Sequence, residues 1–199
     1  MEYLYKKENT LSKELCDRII EIYENAPPEN KYKGQTQRGL DNYRGVDNSI
    51  KNTIDMFFDI NTKDKELYNI NEILFNELYF HLKDYFIQTK NNYFLVNKTP
   101  FKDSGFQIQK YNKNEGHFIY HADNLINNGE HRIITYLWYL NDVDEGGETE
   151  FLNKYSFKPT SGTLILFPAC ETYPHCAKIP ISNNKYIVTG WITIPILDY

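Results

Sequence analysis

Cysteine is scarce in this chain. Cys16, Cys170 and Cys176 are odd in number and show no Cys-x-x-Cys spacing. That argues against a disulfide framework and a thiolate zinc site, and for a reducing compartment, the cytoplasm. Long apolar runs are missing too: none approaches the roughly 18 residues of a membrane-spanning helix, so no membrane contact is expected. The opening MEYLYKKENTLSKELC has no apolar core and no small-residue cleavage site, so no signal peptide is read. Basic residues are outnumbered, 22 Lys+Arg against 27 Asp+Glu, for a formal net charge of -5. Displacing counterions from a nucleic acid needs the opposite balance, and nucleic acid is not an expected partner. What remains is globular: 41% hydrophobic and 16% aromatic over 199 residues, the size of one domain. The wealth of Asn, Lys, Ile and Tyr, with AT-rich codons, suggests a low-GC microbial or viral genome.

The pattern divides into a helical front and a strand-rich back. Leu11, Leu15, Ile19, Ile22 and Tyr23 recur at helical spacing, with Thr10 or Ser12 as caps and Pro27-Pro28 as the stop. Residues 29–53 are polar and turn-rich and read as a long surface loop; Gln35, Tyr43 and Arg44 make it a candidate lid. A second helix is predicted over about 65–88, with Leu67, Ile70, Ile73, Leu74, Leu78, Leu82 and Phe86 as its core stripe. Beyond Pro100 the pattern alternates, predicting strands near 105–111, 117–121, 132–140, 148–152, 156–158, 163–168, 174–179 and 185–194. The expected fold is mainly β with flanking helices. It is a double-stranded β-helix, or jelly roll, with N-terminal helices packed on one sheet. Residues 1–199 are expected to form one domain, 1–100 the helical support and 101–199 the jelly-roll core.

Five histidines are few enough to weigh singly. His81 sits inside the second helix and reads as a packed or surface residue; His131, at a strand start, reads as an exposed loop residue. His121-Ala122-Asp123 puts two metal-competent side chains at i and i+2, on one face of an extended segment. His175, in another predicted strand, is the candidate third ligand. Two imidazoles and one carboxylate leave positions open, which suits non-haem Fe(II) rather than a closed structural zinc site. Lys185 opens the last strand, where period two gives it one face with Ile187, Thr189 and Trp191. An inward lysine requires an anionic partner.

These pieces occur in a telling order. Tyr111, Gly116 and Phe118 precede His121-Ala122-Asp123; Arg132-Ile133-Ile134-Thr135, Tyr139-Leu140-Asn141 and Gly146-Gly147-Glu148-Thr149-Glu150-Phe151 follow. Pro159 with Gly162, Leu166-Phe167, His175, Lys185 and Trp191 complete the run. Over about 105–194 the sequence resembles the prolyl 4-hydroxylase-like branch of the Fe(II)/2-oxoglutarate-dependent oxygenases. The resemblance implies His121, Asp123 and His175 as iron ligands, and Lys185 as partner of the distal carboxylate of 2-oxoglutarate. It implies Tyr111 and Thr149 as further cosubstrate contacts, Trp191 as an aromatic beside the site, and Arg132 as a residue facing the substrate. His117, four residues before His121, is a candidate neighbour of the substrate.

The implied activity is hydroxylation of a peptidyl residue, proline foremost, coupled to decarboxylation of 2-oxoglutarate to succinate and CO2. Its cofactors are Fe(II), 2-oxoglutarate and O2, with ascorbate as reductant. Asp123 fills the position that halogenating relatives vacate, which favours hydroxylation. The alternatives are the same chemistry on a free amino acid or other small molecule, and a non-catalytic jelly-roll module.

Overall fold

The computed structural model describes residues 3–38, 43–58, 64–90 and 101–196, the side chains of residues 37, 38, 43 and 44 excepted. The order begins β1 (Tyr5–Lys7), α1 (Lys13–Asn25), a 3-10 turn (Pro28–Asn30), β2 (Tyr32–Lys33), β3 (Thr36–Arg38) and β4 (Tyr43–Gly45). Then come β5 (Lys51–Asn52), β6 (Ile54–Phe57), α2 (Lys65–Gln88), β7 (Lys102–Asp103), β8 (Gln107–Tyr111) and β9 (His117–His121). The remainder is β10 (Ile126–Asn127), β11 (Glu130–Tyr139), β12 (Thr149–Phe151), β13 (Tyr155–Phe157), β14 (Leu164–Pro168), β15 (His175–Ala177) and β16 (Lys185–Pro195).

Two antiparallel sheets result. The larger runs β1-β14-β11-β16-β8-β6-β2, with β10 on β11 and β7 on β16; the smaller runs β13-β12-β15-β9-β5. Both helices start on the expected chemistry: the Ser12 side chain accepts from the Leu15 N–H, and Asp64 from Glu66 and Leu67.

Period two sorts the large sheet into two faces. Ile108, Ile134, Tyr136, Trp138, Leu164, Leu166, Tyr186 and Val188 pack in one cluster with Cys16, Ile19 and Tyr23 of α1 and Ile70, Leu74, Leu78 and Leu82 of α2. The alternate residues Tyr111, Leu137, Tyr139, Ile165, Phe167 and Ile187 pack against Phe151 and Ala177 of the small sheet. The helical side is mostly apolar, with Asn71 and His81 among its buried residues, and the inter-sheet side carries the buried polar residues Gln107, Gln109, Thr135, Lys185 and Thr189.

Two sequence expectations change. Residues 29–53 are not an irregular loop: they supply β2 to the large sheet, β5 to the small one and the separate β3–β4 hairpin. Their strands are two or three residues long, too short for alternation to register. As for the proposed lid, Gln35 lines the inter-sheet cavity, while the side chains of Tyr43 and Arg44 lie outside the described residues. In α2, Ile73 is exposed, and Tyr85 and His81 take places in the buried stripe.

Candidate metal and cosubstrate site

β9 and β15 are neighbours in the small sheet, and His175 pairs in register with His121. Asp123 follows two residues after His121, and the three side chains converge. His121 Nε2 lies 3.6 Å from Asp123 Oδ1 and His175 Nε2 lies 3.6 Å from Oδ2. One ligand atom from each falls within 4.8 Å of the others.

Backbone carbonyls set the imidazole faces. His121 Nδ1 lies 2.8 Å from the Ile119 carbonyl, and His175 Nδ1 lies 3.1 Å from that of Tyr173. With Nδ1–H donating outward, both Nε2 lone pairs turn toward Asp123, the tautomer a metal requires. Thr135 donates to Asp123 Oδ2 at 2.7 Å. Burial and the neighbouring His175 push His121 down to about 3. For Asp123, burial acts upward, but His175, His121 and the Thr135 hydroxyl outweigh it and hold the carboxyl below its usual range. Two imidazole nitrogens and one carboxylate converging on one point are a donor set that fits Fe(II) with open positions.

Aromatic rings confine the ligands. Phe118 stacks on His121 with centroids 3.5 Å apart and planes 12° from parallel. Phe151 and Phe167 pack on His175 at 5.3 and 4.7 Å. A register irregularity in the β9–β15 pairing lets Phe118 and His121, three residues apart, meet on one side. His117 loses its expected place by the same shift. Its ring nitrogens lie 2.9 Å from the Glu115 carbonyl and 3.4 Å from that of Ser49, and it does not line the cavity.

The second cluster surrounds Lys185, 1% exposed. Its Nζ donates to the Gly147 carbonyl at 2.8 Å, reaches Thr149 Oγ1 at 3.5 Å, and lies 4.9 and 5.3 Å from the ring centres of Tyr111 and Tyr139. Tyr139 donates to Thr149 Oγ1 at 2.7 Å. Burial pushes Lys185 down to about 7, with Glu148 opposing. A buried ammonium met by dipoles and ring faces, with no carboxylate in hydrogen-bond contact among the described residues, is a receptor for an anionic oxygen.

Both clusters line one cavity of about 300 Å³, together with Tyr111, Thr149, Arg132 and Trp191. The Arg132 guanidinium carbon stands 3.5 Å from the Trp191 ring centre. A ladder not anticipated from sequence crosses the wall: Tyr111 donates to Gln109, Gln109 to Gln107, and Gln107 to the Tyr32 hydroxyl. Alternating polar side chains on QIQKY were its available signal. Thr135, Lys51 and Asp55 were likewise missed as site components, and the latter two carry no sequence signature.

A double-stranded β-helix that brings a His-x-Asp…His triad and a buried cation to one cavity can hold a divalent metal beside an anionic ligand. Residues 106–193 match the family model described as the 2OG-Fe(II) oxygenase superfamily. Over that stretch the chain is similar to 2OG-Fe(II) oxygenases, prolyl 4-hydroxylases among them. One curated relative, a probable prolyl 4-hydroxylase 10 of Arabidopsis thaliana, is 31% identical over 121 residues, 45% of this chain and 42% of the relative. The match thus spans less than half of that relative's length.

Solved structures share the fold. A prolyl hydroxylase of Trichoplax adhaerens, in complex with a hypoxia inducible factor oxygen degradation domain peptide fragment, aligns with TM-score 0.71 at 18% identity, covering 98% of this chain and 84% of that one. A Pseudomonas putida prolyl-4-hydroxylase gives 0.64 at 14% identity over 95% and 91%. A viral collagen prolyl hydroxylase from Paramecium Bursaria Chlorella virus-1, as its 2OG complex, gives 0.57 at 21% identity over 96% of each chain. Among the described residues, no helix is long and apolar enough to cross a membrane.

Proposed function

We propose that this chain is an Fe(II)- and 2-oxoglutarate-dependent dioxygenase that hydroxylates a peptidyl residue, proline foremost. The observation that carries the reading is the single cavity shared by the His121–Asp123–His175 triad and the buried Lys185. Bound Fe(II) and 2-oxoglutarate would supply the oxidising power, one oxygen atom of O2 going to a substrate C–H bond and the other to succinate as CO2 leaves. The chain's own residues do the rest. His121 and His175 offer Nε2 and Asp123 its carboxylate. Lys185 binds the distal carboxylate of 2-oxoglutarate, with Thr149 and the Tyr111 ring as neighbours that exclude water and strengthen the charge pairing. Arg132 and Trp191 face the substrate. The peptide seated on the Trichoplax relative supports a peptide as substrate, and the three free cysteines fit a reducing compartment, the cytoplasm.

A second reading, a free amino acid or other small substrate, is favoured by the modest cavity of about 300 Å³. Succinate release with Fe(II), 2-oxoglutarate and ascorbate, measured over a panel of proline peptides and free amino acids, separates the two. Absence of turnover and of metal binding would refute both.

A further inference from the structure

The cavity holds a second buried lysine that the triad and the Lys185 cluster do not employ. Lys51 on β5 is 4% exposed and Asp55 on β6 is 1% exposed. Lys51 Nζ donates to Asp55 Oδ2 at 2.8 Å, linking the edge strand of the small sheet to the large sheet, and both residues line the cavity. An ammonium has three N–H groups. Among the described residues, Asp55 is the one hydrogen-bond acceptor that Nζ meets, the Phe118 ring lying 5.4 Å away.

Position gives this pair its meaning. In the small sheet the order is β12, β15, β9, β5. Lys185 lands on Thr149 of β12, His175 and His121 sit on β15 and β9, and Lys51 stands on β5. The two metal-binding strands therefore lie between two buried cations. One is fitted to the cosubstrate's carboxylate. The other lines the same cavity beside Phe118, the ring stacked on His121. A structural clasp does not require charge there, because a buried ion pair is often no more stabilising than apolar residues of similar volume.

We propose that Lys51 is a specificity-determining residue that donates to a carbonyl oxygen of the substrate, with Asp55 holding its ammonium in place. A neutral carbonyl suits the site better than a carboxylate, because Asp55 already balances the Lys51 charge and an added anion would be buried uncompensated. This rests on the peptide hydroxylase reading and narrows it: the substrate offers an amide carbonyl beside the oxidised carbon.

The test uses the full chain with Fe(II), 2-oxoglutarate and an acetylated Ala-Pro repeat peptide. The double substitution Lys51→Met with Asp55→Leu removes both charges and leaves neither unpaired. The expected result is a rise in peptide KM of about tenfold or more, the loss of a charge-assisted bond, while KM for 2-oxoglutarate stays within about twofold. A peptide KM that does not move, or a parallel rise in both constants, overturns the proposal. If the double variant does not fold, Lys51→Arg keeps the charge and its partner but spreads the donors over a planar fork. It should raise peptide KM about threefold or more, and an unchanged value overturns the proposal. Wild-type protein that releases no succinate with any peptide of the proline panel and binds no metal would refute the hydroxylase reading and this proposal together. Wild-type turnover with unmoved variants refutes the Lys51 assignment alone.

Discussion

Thr135 Oγ1 donates to Asp123 Oδ2 at 2.7 Å, so a residue of the large sheet orients a metal ligand that follows a strand of the small one. Removing that donor while keeping the side chain's shape tests its role. Thr135→Val should lower metal affinity roughly 10–100-fold, as loss of a ligand's outer partner typically does. Thr135→Ser should restore most of it. Titrating the metal-free protein with Mn(II) or Fe(II) reads the effect directly, and equal affinities for wild type and Thr135→Val would remove Thr135 from the site.

Lys185 sets a pH dependence. Burial lowers its pKa from the ordinary lysine range to about 7. Between about pH 7 and the unfolded lysine value near 10.5, the unfolded chain holds a proton that the folded chain has released. Stability without cosubstrate should therefore rise with pH across that window, with little contribution from this group below it. Binding runs the other way, because the distal carboxylate of 2-oxoglutarate pairs with the protonated form. Affinity for 2-oxoglutarate should fall as pH climbs above about 7, and binding there should take up a proton. Calorimetry in buffers of different ionisation enthalpy measures that uptake, and Lys185→Met should abolish both the uptake and most of the affinity.

The back half of the fold was most legible where its strands are long and one-sided, as in the ten residues of β11 and the eleven of β16. In β16, Lys185, Ile187, Thr189 and Trp191 alternate with Tyr186, Val188 and Ile192, and period two alone separates cavity face from helix face. The triad was legible for the same reason, since His121 and Asp123 stand two residues apart in extended chain. The front half hid its strands. Lys51–Asn52 and Tyr32–Lys33 are two residues each, held by neighbours distant in sequence rather than by local pattern. His117 was misplaced because an irregularity in β9 breaks the alternation that would have aligned it with His121. Lys51 and Asp55 were invisible for a simpler reason: a single Lys and a single Asp look like solvated surface until two sheets close over them.

Arg132 and Trp191 form the cavity's stacked pair, with guanidinium carbon and ring centre 3.5 Å apart. A planar guanidinium covers the indole in a way an ammonium does not. Arg132→Ala should uncover the ring and shift tryptophan emission to longer wavelength. Trp138, the chain's other tryptophan, is fully buried on the helix side and should report no change. Peptide KM should rise in the same variant, and Arg132→Lys should recover little of it. Emission unaltered in Arg132→Ala would show that the stack does not persist in solution.

Gly190 offers a stability test remote from the chemistry. It pairs with Tyr136 across β11 and β16, and the Tyr136 side chain passes over it to donate to the Gly105 carbonyl at 2.9 Å. A Cβ at position 190 would come 2.2 Å from the Tyr136 hydroxyl and 2.5 Å from the Gly105 oxygen. Neither can retreat easily: Tyr136 is fully buried, and the Gly105 carbonyl is backbone. Gly190→Ala should therefore destabilise by about 1–3 kcal/mol or more through overpacking. Tyr136→Phe should cost about 1 kcal/mol, because the Gly105 carbonyl loses its shorter bond and keeps the 3.3 Å bond from the Ser104 hydroxyl. The two substitutions touch the same atoms, so their costs should not add. Removing the hydroxyl relieves the nearest clash, and the double variant should be more stable than the sum of the single losses predicts. Urea midpoints for the four proteins at constant m-value measure the coupling. Strict additivity would mean that Tyr136 does not cross Gly190 as the structure has it.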